Sequence, residues 1–420
     1  MCKRQADALA SQPRRRSLPR RSSNTASSYS SSFATVAGTS SASAQGTSNG
    51  GEAAAASSSS AASWSISSIA SLRDSLPDAP AMYSFAEIAA ATNNFLGKRL
   101  SSSSSSWRCS LHGKDAAVFQ RHFSGDPVAL PAKIAAVCRS HHRSLIRLLG
   151  ASISGNYIYL VYEFSPGASL TDCLRSPRNP HFTLLSSWVS RVQIAADLAQ
   201  GLDYIHNHSA CGGSVHNRMK SSAVIVSDPG LNAKICHFGA AFLVGAVPSE
   251  DKFDGGSVKI EGTRGYLAPE VIAGGGVSRR SDVFAFGVVL LELISGDVPV
   301  KYRYNGIGKN YEMASLIETA REVMGPAEGV ENGMPEPSGE AAVRGMRVQR
   351  LVDRRLKDSF PEEVAEKLTR VALRCVEAEP AKRPEMSWVE GKISKLFLDS
   401  KAWQDRIRVP ADFSVSFAPR

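Results

Sequence analysis

The sequence lacks several features that would place it in a familiar structural class. Its seven cysteines are scattered and odd in number, and no two of them form a Cys-x-x-Cys pair. This argues against a disulfide framework or a zinc site and favours a reducing, cytoplasmic compartment. No run comes near the ~18 apolar residues that a membrane-spanning helix needs, because the longest candidate, Val283 to Ile294, is short and contains Glu292. We therefore expect no transmembrane segment.

Positive charge is concentrated at the start of the chain. The 420 residues carry a net charge of +10, but Met1 to Arg21 accounts for +6 of it, with seven Lys or Arg residues and one Asp. The remaining +4 is ordinary for a folded domain. The composition therefore does not predict a partner that is a nucleic acid.

Residues 1–80 are rich in Ser, Ala, Gly and Arg and poor in large apolar side chains. Such a segment buries too little surface to offset the entropy of ordering, so we expect a disordered tail. Four interpretations stay open. The basic start could hold the protein peripherally at the inner face of the plasma membrane, with Cys2 palmitoylated, or RRRSLPRR could be a nuclear signal. The segment could instead be an organellar transit peptide or a solvated tail of phosphorylatable serines.

The most informative stretch is Val215 to Gly239, which is followed by GTRGYLAPE at residues 262–270. It resembles the catalytic loop, metal-binding loop and Ala-Pro-Glu segment of a protein kinase, in the same order. In that family the catalytic loop reads His-Arg-Asp, four residues and Asn, and the metal loop reads Asp-Phe-Gly. The corresponding residues in this sequence are His216, Asn217, Arg218, Ala223, His237, Phe238 and Gly239.

The resemblance implies a degenerate catalytic site. An aspartate in place of Arg218 would accept the proton of the substrate hydroxyl, which a guanidinium cannot do. Ala223 has no ligand atom for magnesium, and the imidazole of His237 is a poor ligand for so hard a cation. We therefore expect neither a metal site nor a general base.

The resemblance begins at Tyr83 to Phe95, YSFAEIAAATNNF, which has helical spacing and ends in two asparagines. This phrase is similar to the one that precedes the kinase domain of plant receptor-like kinases of the Pelle class. Within that class the chain is most similar to LysM-domain receptor-like kinases, although it has no LysM module. Ser101 to Ser106 stands where such kinases have their glycine-rich phosphate loop, so we expect that cradle to be missing.

Two further positions concern the small lobe. The resemblance places Gln120 at the lysine of Val-Ala-Ile-Lys, and Lys133 at the helix C glutamate that pairs with this lysine. A neutral amide that faces an ammonium cannot form the ion pair of an active kinase. A substitute role for Lys133, as a cation that reaches the phosphates from the helix, stays open.

The segment that joins the lobes is expected to be retained. The resemblance makes Tyr162 the gatekeeper, with Glu163 and Phe164 as the hinge. Because a hinge recognises adenine through backbone groups, changes of side chain elsewhere do not remove it. No cofactor is required in this interpretation, but weak, metal-independent binding of ATP stays open.

The large lobe is expected to keep its architecture. Asp282 aligns with the aspartate that braces the catalytic loop, and Glu270 and Arg383 align with an ion pair that anchors the Ala-Pro-Glu segment. The predicted fold is α+β and bilobal, as in protein kinases. A β-rich N-lobe spans about residues 81–164 and a helical C-lobe about 165–398, with a mobile loop insertion at about 302–346. A C-terminal tail follows at 399–420.

The leading hypothesis is a pseudokinase, a signalling scaffold or allosteric partner of an active receptor-like kinase. The alternative is a serine/threonine kinase that works by an atypical route. In that case Lys133 would supply the cation, and Glu163 or Asp228 would be recruited to the site.

Overall fold

The computed structural model describes residues 81–101, 104–211, 214–227, 230–245, 262–305, 310–325, 347–357 and 359–407. The tail predicted for residues 1–80 therefore lies outside the described residues. The same is true of Asp228 and of residues 408–420.

The N-lobe is built on a five-stranded sheet in the order β1-β4-β5-β3-β2. Its strands are β1 (Ala81–Met82), β2 (Ser106–Leu111), β3 (Lys114–His122), β4 (Leu148–Ser154) and β5 (Tyr157–Glu163). All neighbours pair antiparallel except β1 and β4. A two-residue turn joins β2 to β3, and its residues His112 and Gly113 have φ values of 50° and 75°. Such left-handed residues suit the twist of a tight hairpin.

Two helices accompany this sheet. Helix α1 (Phe85–Ala91) begins with a capping box, in which the side chains of Ser84 and Glu87 each accept from the other's backbone N–H. It ends before Asn93 and Asn94, both at φ 52°, as the two asparagines predict. Helix α2 (Leu130–Cys138) buries one apolar face and packs against β4.

The C-lobe is mainly helical. Its helices are α3 (Leu170–Arg175), α4 (His181–Leu184), α5 (Trp188–Asp203), α6 (Ala240–Val244), α7 (Pro269–Ile272), α8 (Arg279–Ser295), α9 (Leu316–Met324), α10 (residues 347–351), α11 (Glu362–Cys375) and α12 (Met386–Ile407). A small sheet of β6 (Ala168–Ser169), β7 (Val224–Ser227) and β8 (Asn232–Ile235) lies beside the catalytic loop. The sheet-based N-lobe and helical C-lobe confirm the predicted α+β, bilobal class.

Helix α8 forms the centre of the C-lobe, and nearly all of its residues are buried. A helix that is apolar on every side is stable only when other elements surround it, and α5, α9 and α11 pack against it. Ser278 caps its start, and Gly296, at φ 72°, follows its last residue. None of the described helices is both long and apolar enough to cross a membrane.

Two boundaries differ from those predicted. The C-lobe was expected to end near residue 398, but α12 continues to Ile407 because buried Ser400 accepts a hydrogen bond from Trp188 Nε1 on α5 at 3.0 Å. The mobile loop expected at 302–346 instead begins as a hairpin of β9 (Val300–Asn305) and β10 (Asn310–Ser315). Helix α9 follows and buries Leu316, Ala320 and Met324 against the C-lobe. Residues 326–346 lie outside the described part of the chain.

Candidate active site

A cleft of about 1240 Å³ lies between the N-lobe sheet and the C-lobe. Ala117 on β3 and Tyr162 at the end of β5 line its N-lobe side. Arg218 and His237, from two loops of the C-lobe, line the opposite side. Tyr162, Arg218 and His237, which were predicted from separate parts of the sequence, therefore meet in one cavity.

The loop from His216 to Arg218 is held from below by Asp282. Its buried carboxylate accepts hydrogen bonds from the backbone N–H groups of His216 at 2.6 Å and Asn217 at 2.7 Å. It also contacts Nε2 of His206 at 3.0 Å. A carboxylate that takes two backbone donors fixes the path of the loop whatever side chains the loop carries.

Two positions of this loop carry side chains that have neither an acceptor nor a ligand oxygen, Arg218 and Ala223. Arg218 lines the cleft, and its guanidinium has donors but no acceptor. Ala223 ends a short 3₁₀ turn, and its carbonyl accepts from the backbone N–H of Cys236 at 2.9 Å. Its methyl side chain offers no ligand to a metal. Among the described residues, no cluster of three or more His, Cys, Asp or Glu side chains could hold a metal ion.

Three aromatic rings meet at the back of the cleft. The ring of Phe119 on β3 contacts the ring of His237 edge-on, with centroids 4.6 Å apart, and lies 5.9 Å from that of Tyr162. The Tyr162 hydroxyl donates to the backbone carbonyl of Phe238 at 2.9 Å. This ring cluster of Phe119, Tyr162 and His237 joins β3, β5 and the C-lobe loop through apolar contact.

His237 has an unusual backbone and a shifted pKa. Its φ is 65°, a left-handed value that is uncommon outside glycine and costs on the order of 1 kcal/mol or more. The ring is partly exposed at the cleft, yet its packed surroundings and the nearby Arg121 hold its pKa well below 6.5. The imidazole is therefore neutral at pH 7.

A buried ion pair anchors the segment below the cleft. Arg383 donates from Nη1 to Oε1 of Glu270 at 2.6 Å and from Nη2 to Oε2 at 2.7 Å. The Arg383 side chain is fully buried, and its other N–H groups donate to the carbonyls of Glu377, Ala378 and Arg280. Burial alone would raise the pKa of Glu270, but the hydrogen bonds from Arg383 keep it below the usual value. This is the pair that the sequence predicts.

Comparison with known proteins identifies the family. The profile of the protein tyrosine and serine/threonine kinases matches residues 126–393. The chain belongs to the protein kinase family. It is 32% identical to LysM domain receptor-like kinase 3 of Arabidopsis thaliana, over 78% of this chain and 48% of the relative. Protein LYK5 and Chitin elicitor receptor kinase 1 of the same plant are also 32% identical, over 81% and 78% of this chain. The chain spans about half the length of these relatives.

The kinase lysine position needs a correction. Gln120 was predicted there, and it borders the cleft, but its side-chain amide donates to the hydroxyl of Tyr159 at 3.4 Å, and Tyr159 belongs to the apolar cluster on the opposite side of the sheet. Successive side chains of a strand point to opposite faces, so the residue of β3 that faces His237 is Phe119. A one-residue error in register reversed the face.

The kinase helix C corresponds to α2, which carries Lys133. The ammonium of this lysine lies 5.2 Å from the ring centroid of Phe242 on α6, and Lys133 is not among the described residues that line the cleft. The structure therefore does not place Lys133 where it could replace the missing phosphate cation. The same helix approaches the metal loop closely, because a Cβ at Gly239 would lie 2.6 Å from Val137.

The hinge residues Tyr162, Glu163 and Phe164 all line the cleft. The carboxylate of Glu163 is held by Lys234 at 3.4 Å and by the backbone N–H of Arg147 at 3.3 Å. Phe164 stacks under the guanidinium of Arg108 at 4.0 Å. Because Glu163 is already paired beside the hinge, the structure gives it no place as a general base.

A second buried carboxylate supports the catalytic loop and was not predicted. Glu292 on α8 is fully buried and accepts from Arg175 at 2.5 Å, Ser221 at 2.8 Å and the hydroxyl of Tyr266 at 2.7 Å. The signal in the sequence was a lone glutamate within the apolar run of α8, because a buried carboxylate requires partners.

Three cleft residues escaped the sequence analysis: Phe119, Arg121 and Lys220. Counting Val-Ala-Ile-Lys from Ala116 ends on Phe119, so the motif itself contained this signal. Arg121 follows on the same face of β3. Lys220 lies on the catalytic loop, where its ammonium donates to the hydroxyl of Thr263 at 3.0 Å.

Proposed function

We propose that this chain is a pseudokinase, a kinase-fold protein that signals through binding and not through phosphoryl transfer. The observation that carries the proposal is the ring cluster of Phe119, Tyr162 and His237. An active kinase has a lysine and a metal-binding aspartate at the first and last of these places. Aromatic contact there provides neither a cation for phosphate nor a ligand for magnesium.

The catalytic loop supports the same proposal. Its backbone is held by Asp282, but Arg218 and Ala223 stand at the positions of the base and of a metal ligand. Loss of a general base lowers a rate by about 10²- to 10⁴-fold, and loss of the metal removes several kcal/mol of charge stabilisation more. The protein needs no cofactor in this interpretation, and any binding of ATP is weak and independent of metal.

The proposed partner is an active receptor-like kinase. Support comes from relatives whose names describe a receptor-like kinase or a receptor kinase, and from the C-lobe, which offers a folded surface for binding. We place the protein in the cytoplasm, with peripheral association at the inner face of the plasma membrane through the basic residues 1–21. No role with a nucleic acid is proposed.

Proximity labelling from the intact chain in its own cells tests the proposal. The unaltered protein and Lys133→Ala should enrich the same active receptor-like kinase, because neither depends on catalysis. Arg383→Ala, which weakens the C-lobe, should lose this enrichment at equal protein level. Enrichment of no kinase above a free-ligase control would contradict the proposed role.

The alternative is an atypical serine/threonine kinase, and the braced loop backbone is the observation in its favour. An atypical kinase of this kind would require magnesium to bind together with the nucleotide. A thermal melt with ATP, with and without magnesium, separates the two functions. A shift that appears only with magnesium would support the alternative, whereas no shift or a metal-independent shift supports the pseudokinase.

A further inference from the structure

The hairpin of β9 and β10 carries large side chains on one of its faces. The two strands pair antiparallel, with Tyr302 opposite Met313 and Tyr304 opposite Tyr311. Side chains that lie two residues apart on a strand, or directly opposite each other, share one face of a ribbon. The ring centroids of Tyr304 and Tyr311 are 5.3 Å apart, with the ring planes inclined by 60°. These four side chains therefore form one continuous surface, the tyrosine face.

The tyrosine face is open to solvent. Its four residues are 47–72% exposed, and none of them belongs to an apolar cluster of the described part of the chain. A two-stranded ribbon is marginally stable in water unless another element covers one of its faces. Single apolar residues on a surface are ordinary, but a contiguous exposed patch is typical of an interaction site.

The base of the hairpin is fixed to the C-lobe. Gly265 has a φ of 93°, and a Cβ there would lie 2.8 Å from Pro299 and 3.0 Å from Val300, so the Ala-Pro-Glu segment packs closely against the start of β9. The carbonyl of Pro299 accepts from the backbone N–H of Leu316, the first residue of α9, at 3.0 Å. A surface that is already held in place loses less conformational entropy when a partner binds.

The polar groups of the tyrosine face are hydrogen-bond donors. Arg264 donates from Nη1 to the hydroxyl of Tyr302 at 2.9 Å, and its guanidinium lies 5.9 Å from the centroid of that ring. A guanidinium has donors only, and the Tyr302 hydroxyl can still donate its own proton. Glu312, the acidic residue of β10, occupies the alternate strand position and therefore the opposite face. The tyrosine face thus combines aromatic rings with donors.

The size of the tyrosine face favours a narrow occupant over a second copy of the chain. Large aromatic side chains each present on the order of 200 Å², so four that are about half exposed offer on the order of 400 Å². A stable interface between two folded proteins covers about 800 Å² on each partner. An extended peptide segment fits the smaller area, and the positive charge of Arg264 beside the rings favours a segment rich in carbonyl oxygens.

We propose that the tyrosine face binds a proline-rich, extended segment of a partner protein. Such a segment forms a polyproline helix without internal hydrogen bonds, so its carbonyls are free to accept, and proline has no N–H that would need an acceptor. Its rings pack on exposed aromatic side chains, as in other aromatic recognition surfaces for this helix. The proposal goes beyond the proposed function, because this binding does not depend on whether the chain transfers phosphate.

Fluorescence anisotropy with the full chain and labelled peptides provides the test. The probe is a polyproline peptide of about ten residues, and the controls are a Gly-Ser peptide and an acidic Glu-Ala peptide of the same length. Polyproline should bind, and both controls should bind at least about tenfold more weakly. Its binding should change little with salt, because rings and carbonyls carry no net charge.

Variants locate the peptide on the chain. Tyr304→Ala and Tyr311→Ala should each weaken polyproline binding by about tenfold or more, because central aromatic residues carry most of the energy of such contacts. Tyr304→Phe, which keeps the ring, should retain most of the binding. Tyr157→Ala removes an exposed tyrosine of β5 in the N-lobe and is the matched control, which should bind as the unaltered protein does. Thermal melts establish that each variant is folded.

The proposal is overturned if polyproline binds no better than the Gly-Ser peptide, if the acidic peptide binds as tightly, or if neither alanine variant weakens binding. Sedimentation that shows a dimer of the unaltered chain, lost in Tyr311→Ala, would assign the tyrosine face to a second copy and overturn it as well. Each of these results would leave the pseudokinase proposal in place. Incorporation of labelled phosphate by the unaltered chain would overturn the pseudokinase proposal and leave the tyrosine face as it is.

Discussion

The catalytic positions of the kinase motifs differ in this chain from those of an active kinase, whereas the layer that supports them is the same. At the positions that align with the kinase catalytic residues, Arg218, Ala223 and His237 stand where a kinase has oxygen ligands and a base. One layer deeper, Asp282 still accepts from two loop amides, and Arg383 still pairs with Glu270. The side chains at the aligned catalytic positions differ from those of the kinase motifs, whereas the groups that hold the backbone match them.

This difference separates the physical requirements of folding from those of catalysis. A buried charge that loses its partner destabilises the protein by several kcal/mol, so the deeper positions cannot change singly. A cleft side chain faces solvent or ligand, and its replacement carries a much smaller penalty. If the molecule functions by binding, the deeper layer is the part that it has to retain.

The largest expected effect is on the anchor pair. Arg383→Ala should lower the free energy of unfolding by about 3–5 kcal/mol, because Glu270 is left as a partly buried charge without its partner. Glu270→Ala should have a similar effect. Urea denaturation followed by circular dichroism measures both. Gln120→Ala is the comparison in the N-lobe and should change stability by less than about 1 kcal/mol.

Equal and small changes for these three variants would mean that the C-lobe does not depend on the pair. The proposed difference in stability cost between the cleft residues and the residues that support them would then be wrong.

The next effect concerns the contact between the metal loop and helix α2. Gly239→Ala should destabilise the protein by about 2–4 kcal/mol, because φ is +77° and the new Cβ would lie 2.6 Å from Val137. Gly113→Ala is the matched control, since its φ is +75° and nothing lies within 4 Å of the added atom. It should show only the backbone cost, about 1–2 kcal/mol. An equal fall in melting temperature for the two variants would argue against a close contact between Gly239 and Val137.

A smaller effect depends on pH. Burial lowers the pKa of His237 and of His216 below 6.5. Below pH ~6.5 the unfolded chain gains protons that the folded chain does not, so stability should fall as pH falls, by about 1.4 kcal/mol per pH unit for each imidazole. His237→Asn should reduce this slope by about 1.4 kcal/mol per pH unit, because asparagine does not titrate in this range. Asparagine also tolerates the left-handed backbone at this position.

Urea midpoints measured between about pH 7.5 and about pH 5 test this expectation. The same slope in both proteins would show that His237 is not held neutral by the fold.

The smallest effect on stability concerns the predicted tail. Changing Cys2 to Ser, or Arg14, Arg15 and Arg16 to Ala, should move a C-terminally tagged protein from the membrane fraction to the supernatant without altering its melting temperature. One acyl chain or one basic cluster alone gives only reversible binding, and both together give stable anchoring. Equal fractionation of all three proteins would end the membrane proposal.

Local patterns allowed much of the fold to be predicted from the sequence. The helical spacing and paired asparagines around α1 and the aligned Asp282, Glu270 and Arg383 all correspond to the structure. The error at Gln120 arose because strand side chains alternate, so that a slip of one residue changes the face. That Arg121 lines the same cleft as Arg218 and Lys220 could not be found from the sequence, because it depends on how two distant segments pack.

The central claim is tested most directly by the transfer of labelled phosphate from γ-labelled ATP, with magnesium, by the purified chain. The account predicts incorporation at the level of a blank. It also predicts no gain from Arg218→Asp alone, because Ala223 and His237 would still leave the metals without ligands. Incorporation clearly above the blank by the unaltered chain, abolished by Lys133→Ala, would contradict the account and establish an atypical kinase.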